Sequence, residues 1–220
     1  MPLVIAMDGP SGSGKSSASK GVARALGLRY LDTGAMYRAM TWWMLRAGVP
    51  VEDAGAVAAR ALEPAIEAGT DPDAPAIAVD GEDVSGPIRT REVTNAVSAV
   101  SSVPAVRTRL VDLQREIIGV GGIVVEGRDI GTVVAPDAAV KVFLTASEEA
   151  RAQRRAKELA ADPGASVQVT QAEQARRDRI DSTRKASPLT KAADAHEIDS
   201  TELGLDEVIE AVVRLAKERE

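Results

Sequence analysis

The sequence predicts an α/β fold built on a parallel sheet, and three observations lead to this prediction. Short apolar runs typical of buried strands alternate with segments of helical periodicity. A glycine-rich loop joins the first apolar run directly to the first helical segment. With 220 residues, 45% of them hydrophobic, the chain is long enough to bury the core of one domain that carries insertions.

Strands and helices follow one another in a regular order, with residues at their ends that suit helix termini. Gly27 stands where a helix C-terminal cap is needed, and Ser147 can cap the start of another helix. We predict strands over 3–8, 28–31, 123–125, 140–144 and 196–199. We predict helices over 15–26, 33–45, 51–68, 90–102 and 104–118, one after Ser147, and one from 205 to the end.

Two polar segments are predicted to be insertions on this core. Residues 76–79 and 84–88 flank the turn-forming stretch 80–83, which indicates a hairpin. The segment 150–187 is strongly charged and rich in Arg and Asp. Both interrupt the alternation of apolar strands and helices.

Composition excludes several classes of protein. A net charge of −6 and an aromatic content of 2% argue against a protein that coats nucleic acid or stacks on its bases. Cysteine is absent, so disulfides and thiolate metal sites are excluded. Neither an apolar stretch of about 18 residues nor a signal-peptide pattern is found. We therefore expect a cytoplasmic protein with no nucleic-acid or membrane partner, and a monomer, since no long heptad or large apolar stripe demands a dimer.

Residues 9–16 match the phosphate-binding P-loop pattern G-x-x-x-x-G-K-[ST], with a strand before them and a helix after them. The glycines allow backbone N–H groups to surround phosphate oxygens, and the helix adds its positive N-terminal end. Lys15 can reach the β- and γ-phosphates of ATP, and Ser16 can supply a hydroxyl ligand to Mg²⁺. The predicted ATP-binding residues of this segment are Gly9, Pro10, Ser11, Gly12, Ser13, Gly14, Lys15, Ser16 and Ser17.

A P-loop by itself does not name the reaction, because GTPases, motor ATPases and small-molecule kinases all carry one. The guanine-specific motif Asn-Lys-x-Asp is absent from the sequence. Residues 83–86 match the short D-x-x-G pattern, which we interpret as a turn of the polar hairpin. A nucleotide-dependent switch or ATPase, which would act without an acceptor, remains the alternative from another class.

Two clusters at predicted strand ends point to a second anionic ligand. Residues 32–38 follow the second strand, and residues 126–132 follow the strand over 123–125. Ligands of open α/β sheets gather at the carboxyl ends of strands, and Arg suits bidentate binding of phosphate. Each cluster alone is also compatible with a strand-end turn that holds a structural ion pair. Together, beside a P-loop, they favour an acceptor site.

The P-loop, the Asp-Thr-Gly-Ala-Met-Tyr-Arg segment at 32–38 and the Gly-Arg-Asp-Ile-Gly-Thr-Val-Val segment at 127–134 resemble bacterial cytidylate kinases, which are P-loop nucleoside monophosphate kinases. Their order and spacing agree along nearly the whole chain, and segments within 83–98 resemble that family's monophosphate-binding insert. The resemblance implies transfer of a phosphoryl group from ATP, with Mg²⁺, to CMP or dCMP. It divides the chain into a core of 1–35, 104–150 and 188–220, an insert at 36–103 and a lid region at 151–187.

The resemblance also implies roles for individual residues. Lys15, Arg128 and Arg177 are the expected catalytic residues, and Arg151 and Arg155 are weaker candidates for contacting the triphosphate. Arg38 and Arg128 would hold the acceptor phosphate, Ser98, Arg107 and Asp129 would bind cytosine, and Asp181 and Arg184 would lie at the sugar. The full set expected to bind CMP is Thr33, Tyr37, Arg38, Ser98, Arg107, Arg128, Asp129, Arg177, Asp181 and Arg184.

The chemistry of cytosine agrees with these roles. A carboxylate at Asp129 can accept a hydrogen bond from the exocyclic amino group, whereas uracil would present a carbonyl there. The acceptor is already an anionic phosphate, so no general base is needed, and His196 receives no catalytic role. A kinase for another acceptor, either UMP or a small metabolite, remains the nearest alternative.

Overall fold

The fold is described from a computed structural model, which covers residues 2–158, 167–184 and 186–219. Eight strands are present in this part of the chain: β1 Val4–Asp8, β2 Arg29–Asp32, β3 Ile66–Ala68, β4 Ile77–Val79, β5 Glu82–Asp83, β6 Ile123–Gly127, β7 Val140–Thr145 and β8 His196–Asp199. The α-helices are α1 Lys15–Leu26, α2 Thr33–Arg46, α3 Ala54–Arg60, α4 Arg91–Ser101, α5 Pro104–Ile118, α6 Glu148–Glu158, α7 Val167–Thr183 and α8 Leu205–Lys217.

The main sheet has five parallel strands in the order β2-β6-β1-β7-β8. The central strand β1 pairs Ile5 with Val124 on one side and with Val140 on the other. All five carboxyl ends therefore meet at one edge of the sheet, and the P-loop leaves β1 at the centre of that edge. The predicted parallel α/β fold is confirmed.

Both faces of the sheet are covered by helices, which explains why its strands read as continuous apolar runs. Ala6 faces a large core formed mainly with α2, α4 and α5, in which Met36 and Leu110 are fully buried. Ile5 and Met7 face the opposite core, which α1 and α8 close. None of the helices in the described ranges is long and apolar enough to cross a membrane.

The observed bounds of a helix agree with the predicted ones wherever a capping residue or a proline marks its end in the sequence. Helix α1 spans the predicted residues, and Gly27 caps its C-terminus with a φ of 64°. The Ser147 hydroxyl accepts a hydrogen bond from the N–H of Ala150 at 3.2 Å in the first turn of α6. Helices α4 and α5 lie within one residue of their predicted bounds, with Pro104 at the start of α5.

The helix predicted over 51–68 is wrong in its second half. The structure has the short helix α3, which ends at Arg60, followed by strand β3 at Ile66–Ala68. Pro64 stands between them and lacks the N–H that a continuous helix needs. Ile66 of β3 then pairs with Val79 of β4, and this antiparallel pairing favours an extended chain. The alanine content of the segment 51–68 gives no indication of so distant a partner.

The predicted hairpin is present, but its second strand is shorter and earlier than expected. Asp80 and Gly81 both have positive φ, 52° and 79°, as a two-residue type I′ turn requires. The returning strand therefore begins at Glu82 instead of Val84, and β3, β4 and β5 form a small antiparallel sheet. Pro87 then starts a 3₁₀ turn at Pro87–Arg89, where a strand had been expected.

Helix α7 lies in the charged segment that was predicted to be an insertion, and it packs against α6. Parts of that segment, residues 159–166 and 185, lie outside the described residues. Strand β8 and helix α8 then return the chain to the core, as predicted.

The first glycine of the P-loop is required by a close approach between two backbones. Gly9 has a φ of 147°, and a Cβ atom there would overlap the carbonyl group of Leu144 in β7. Because Leu144 belongs to a central strand of a buried sheet, its backbone has no room to move. Only glycine fits where the loop passes the backbone of β7.

We expect Gly9→Ala to lower the free energy of unfolding by roughly 2–5 kcal/mol, the combined effect of strained backbone and overpacking. Urea denaturation measures the change. Gly86→Ala is the matched control, since no atom lies within 4 Å of a Cβ there and its φ is negative. Equal stability of the two variants would contradict the close approach.

Candidate active site

A cavity of about 530 Å³ opens at the carboxyl edge of the main sheet, above the P-loop. Seventeen of the residues predicted to bind ATP or CMP line it. They are Ser11, Gly12, Gly14, Lys15, Ser16, Ser17, Thr33, Tyr37, Arg38, Ser98, Arg107, Arg128, Asp129, Arg155, Arg177, Asp181 and Arg184.

Lys15 begins α1 and is buried, with 5% of its surface exposed. Its ammonium group folds back over the loop, donating to the Pro10 carbonyl at 2.6 Å and to the Ser13 hydroxyl at 3.3 Å. Burial lowers the pKa of Lys15, and the nearby charge of Arg128 lowers it further. The carboxylates of Glu126, Asp8 and Asp178 oppose this shift.

Glu126 at the end of β6 is a site residue to which the sequence analysis assigned no role. It accepts hydrogen bonds from the Ser16 hydroxyl, at 3.0 Å, and from the Tyr30 hydroxyl. Burial raises the pKa of Glu126, and the neighbouring carboxylate of Asp32 adds to this effect. Its position after a buried apolar strand beside the P-loop was the pattern that could have identified it.

The oxygens of Ser16 and Glu126 fit a Mg²⁺ ion that arrives with a nucleotide. Mg²⁺ takes oxygen ligands, and proteins hold it with one or two carboxylates together with substrate phosphates. Burial disfavours the charged form of Glu126, and a divalent cation beside it would stabilise that form by electrostatic attraction.

Asp8 joins the P-loop strand to the segment that follows β6. Its carboxylate accepts hydrogen bonds from the N–H groups of Ile130 and Gly131, both at 2.8 Å. Burial raises the pKa of Asp8 to about 6, although the two amides oppose this shift. These bonds hold a π-helical turn at Ile130–Val134 close to the sheet and thereby orient the residues just before it.

The predicted cytosine-binding residues meet at the far side of the cavity. Arg107 forms a buried ion pair with Asp129, and its guanidinium lies 5.3 Å from the centre of the Tyr37 ring. Arg107 also donates to the Ser101 carbonyl at 3.3 Å. Ser98 lines the same region and is 5% exposed. This corner is narrow, polar and shielded from solvent.

Charges alternate along the wall that joins this corner to the P-loop. Arg128 donates to Asp181 at 3.2 Å, and Arg184 lies 3.8 Å from Asp181. Arg184 also lies 3.6 Å from Asp129, the partner of Arg107. The chain of contacts links residues of the segment after β6 to residues of α7 and the turn that follows it.

A second group of arginines carries positive charge in excess. Burial lowers the pKa of Arg38 to about 9, helped by the charges of Arg177, Arg155 and Arg89. Burial also lowers the pKa of Arg177 to about 10, with Arg128 the next largest cause. Arginine stays protonated at neutral pH, so these directions report the cost of desolvation first and the repulsion between the arginines second. The cavity thus favours anions near Arg38 and Arg177.

Four of the predicted ATP-binding residues do not line the cavity: Gly9, Pro10, Ser13 and Arg151. The guanidinium of Arg151 instead contacts the Ser11 carbonyl and the carboxylate of Asp178. His196, which received no catalytic role, is exposed in β8 and also lies outside the cavity lining.

Comparison with known proteins places the chain in a family. A family model described as cytidylate kinase matches residues 5–218. The cytidylate kinase of Streptomyces avermitilis is 58% identical over 99% of this chain and 94% of its own length, and that of Streptomyces griseus is 59% identical over 98% and 93%. A solved structure from Eubacterium ventriosum shares the fold, with a TM-score of 0.55 at 10% identity over 100% of both chains. The chain belongs to the cytidylate kinase family.

Proposed function

We propose that this protein transfers the γ-phosphoryl group of ATP to CMP or dCMP, giving ADP and CDP or dCDP. One observation carries the proposal: a single cavity joins a P-loop to a second cluster of half-buried arginines, Arg38 and Arg177, whose pKa values are lowered by desolvation and by neighbouring arginines. A switch or ATPase needs only the first of these sites, whereas a phosphotransferase needs both. Membership of the cytidylate kinase family supports CMP as the acceptor.

The triphosphate would bind at the P-loop. Its oxygens would meet the backbone amides of the loop and the buried ammonium of Lys15, whose pKa is lowered mainly by desolvation. Ser16 and Glu126 would hold Mg²⁺, which when bound neutralises phosphate charge. Arg155 lines the cavity and remains a candidate for this half of the site, whereas Arg151 contributes indirectly.

The acceptor phosphate would lie among Arg38, Arg128 and Arg177. Arg38 is held in place by the carbonyl of Ile88 at 3.1 Å and the hydroxyl of Thr94 at 2.9 Å. Two multiply charged phosphates repel each other, and these guanidiniums lower that repulsion while they fix the line of attack. A single arginine in such a role contributes about 10³-fold or more in rate.

The base of the acceptor would lie in the corner formed by Ser98, Arg107 and Asp129. The carboxylate can accept the amino hydrogen of cytosine, and Arg107 can donate to its O2 or N3. Arg107 and Asp129 form a buried ion pair, so both side chains are already held in place for a base that bonds to them. Uracil would place a carbonyl oxygen against the carboxylate.

We also propose that the chain is divided into three functional parts. Residues 1–35, 104–150 and 188–220 form the core, 36–103 the monophosphate-binding insert and 151–187 the lid. Closure of the lid would exclude water, which otherwise competes with CMP for the phosphoryl group. We further propose that the protein acts as a cytoplasmic monomer.

The proposed function is tested by a coupled assay that measures ADP release with ATP, Mg²⁺ and each of CMP, dCMP, UMP, AMP and GMP. We expect CMP and dCMP to be phosphorylated far faster than the purine monophosphates, and EDTA to abolish the reaction. Lys15→Met is the inactive control, because it removes the cation beside the transferred phosphate. Hydrolysis of ATP at a rate independent of every acceptor would instead support a switch or ATPase.

We expect Asp129→Asn to lower the ratio of kcat/KM for CMP over UMP by about 10–100-fold, a difference of a few kcal/mol. The amide still fills the space beside Arg107 but presents an N–H₂ group that suits the O4 carbonyl of uracil. Steady-state kinetics with both acceptors measure the ratio. An unchanged ratio in a folded variant would remove Asp129 from base recognition.

A further inference from the structure

Ser11 of the P-loop is held on both sides of its backbone by residues from α6 and α7. Its N–H donates to Asp178 at 3.3 Å, and its carbonyl accepts from Arg151 at 3.0 Å. Arg151 and Asp178 also form an ion pair with each other. We call this ring of three residues the Ser11 latch.

The Ser11 latch is largely shielded from solvent and closely packed. The side chains of Arg151 and Asp178 are 9% and 20% exposed, so water screens their attraction far less than at the surface. Gln174, also on α7, donates to the Arg151 carbonyl at 3.4 Å. A Cβ atom at Gly12 would lie 3.0 Å from the same carbonyl, which shows how tightly the loop meets these helices.

Neither charged member of the latch faces the substrates. Arg151 and Asp178 are absent from the lining of the 530 Å³ cavity, whereas Arg177, the residue next to Asp178, belongs to it. Asp181 and Arg184, three and six residues further on, also line the cavity. Adjacent residues of a helix point about 100° apart, so tying Asp178 to the loop fixes the rotation of α7 and with it the direction of Arg177.

The contact between Arg177 and the loop agrees with this geometry. Its guanidinium lies 3.4 Å from the Ser11 hydroxyl, on the residue whose backbone the latch holds. A shift of the latch would therefore move Arg177 relative to the P-loop directly. Misplacement of a catalytic group by about 1 Å is enough to cost about 100-fold in rate.

We propose that Asp178, with Arg151, is a positioning residue for phosphoryl transfer, holding α7 against Ser11 so that Arg177 points at the reacting phosphates. This inference rests on the proposed kinase function. It also assigns the Ser11 amide to Asp178, so the triphosphate is bound by the amides from Gly12 onward. The carboxylate acts through α7 and does not touch the substrates.

The test compares Asp178→Asn with Glu173→Gln. The carboxylate of Asp178 gives one oxygen to the Ser11 N–H and the other to Arg151. The amide of asparagine has a single oxygen and no charge, so it can accept a hydrogen bond from one of these partners but cannot replace the ion pair. Glu173 lies on the same helix and pairs with Arg91 in a contact whose side chains are 31% and 45% exposed, so its loss should be nearly neutral. We expect Asp178→Asn to lower kcat about 10–100-fold, with KM for ATP and for CMP near wild-type values, and Glu173→Gln to leave turnover unchanged.

A second readout separates positioning from a general loss of structure. Because a misplaced lid helix admits water, we expect the share of ATP hydrolysed without transfer to CMP to rise several-fold in Asp178→Asn. A purely structural loss would lower transfer and hydrolysis in the same proportion, together with the melting temperature. That proportional loss, or wild-type kcat in Asp178→Asn, would overturn the inference.

The double variant Arg151→Met with Asp178→Leu covers the case in which Asp178→Asn does not fold. Replacing both members of a buried ion pair with apolar residues leaves no unpaired charge and is often neutral for stability. We expect the same loss of kcat in a protein of near wild-type melting temperature. Normal kcat in this folded variant would overturn the inference, whereas failure of the wild-type protein to phosphorylate CMP would overturn the proposed function itself.

Discussion

The unbalanced positive charge at the carboxyl edge of the sheet is the constraint on which the rest of the site depends. Lys15 is buried and Arg38 and Arg177 are half-buried, and desolvation lowers the pKa of each. Groups of this kind persist in a fold only when something supplies the opposite charge. The phosphates of the two substrates that we propose for this cavity carry that opposite charge.

The central strand of the sheet organises this charge. β1 delivers the P-loop at its carboxyl end, and its last residue, Asp8, holds the amides after β6 at 2.8 Å. The neighbouring strand β6 brings Glu126 to the Ser16 hydroxyl and starts the segment that carries Arg128 and Asp129. One pair of parallel strands thus brings the P-loop and the segment that carries Arg128 and Asp129 to the same cavity.

The elements outside the sheet close the cavity through ion pairs of different burial. The Arg107–Asp129 pair and the Ser11 latch are shielded from water, whereas the Arg91–Glu173 pair between α4 and α7 is exposed. Ion pairs that are shielded from water hold their side chains in a defined geometry, whereas exposed ion pairs contribute little to stability. Helix α7 is therefore held against the P-loop by a more shielded contact than the one that joins it to α4.

The sequence by itself determined the P-loop, helix α1, the parallel strands and the family, because each is encoded in neighbouring residues: a motif of eight positions, a cap or an apolar run. Tertiary structure alone decided what lies across long separations. The bond from Ser16 to Glu126 spans 110 residues and that from Ser11 to Asp178 spans 167, so no local pattern could pair them. The same reason explains β3, whose strand conformation depends on β4, and the contacts of Arg151 with Ser11 and Asp178.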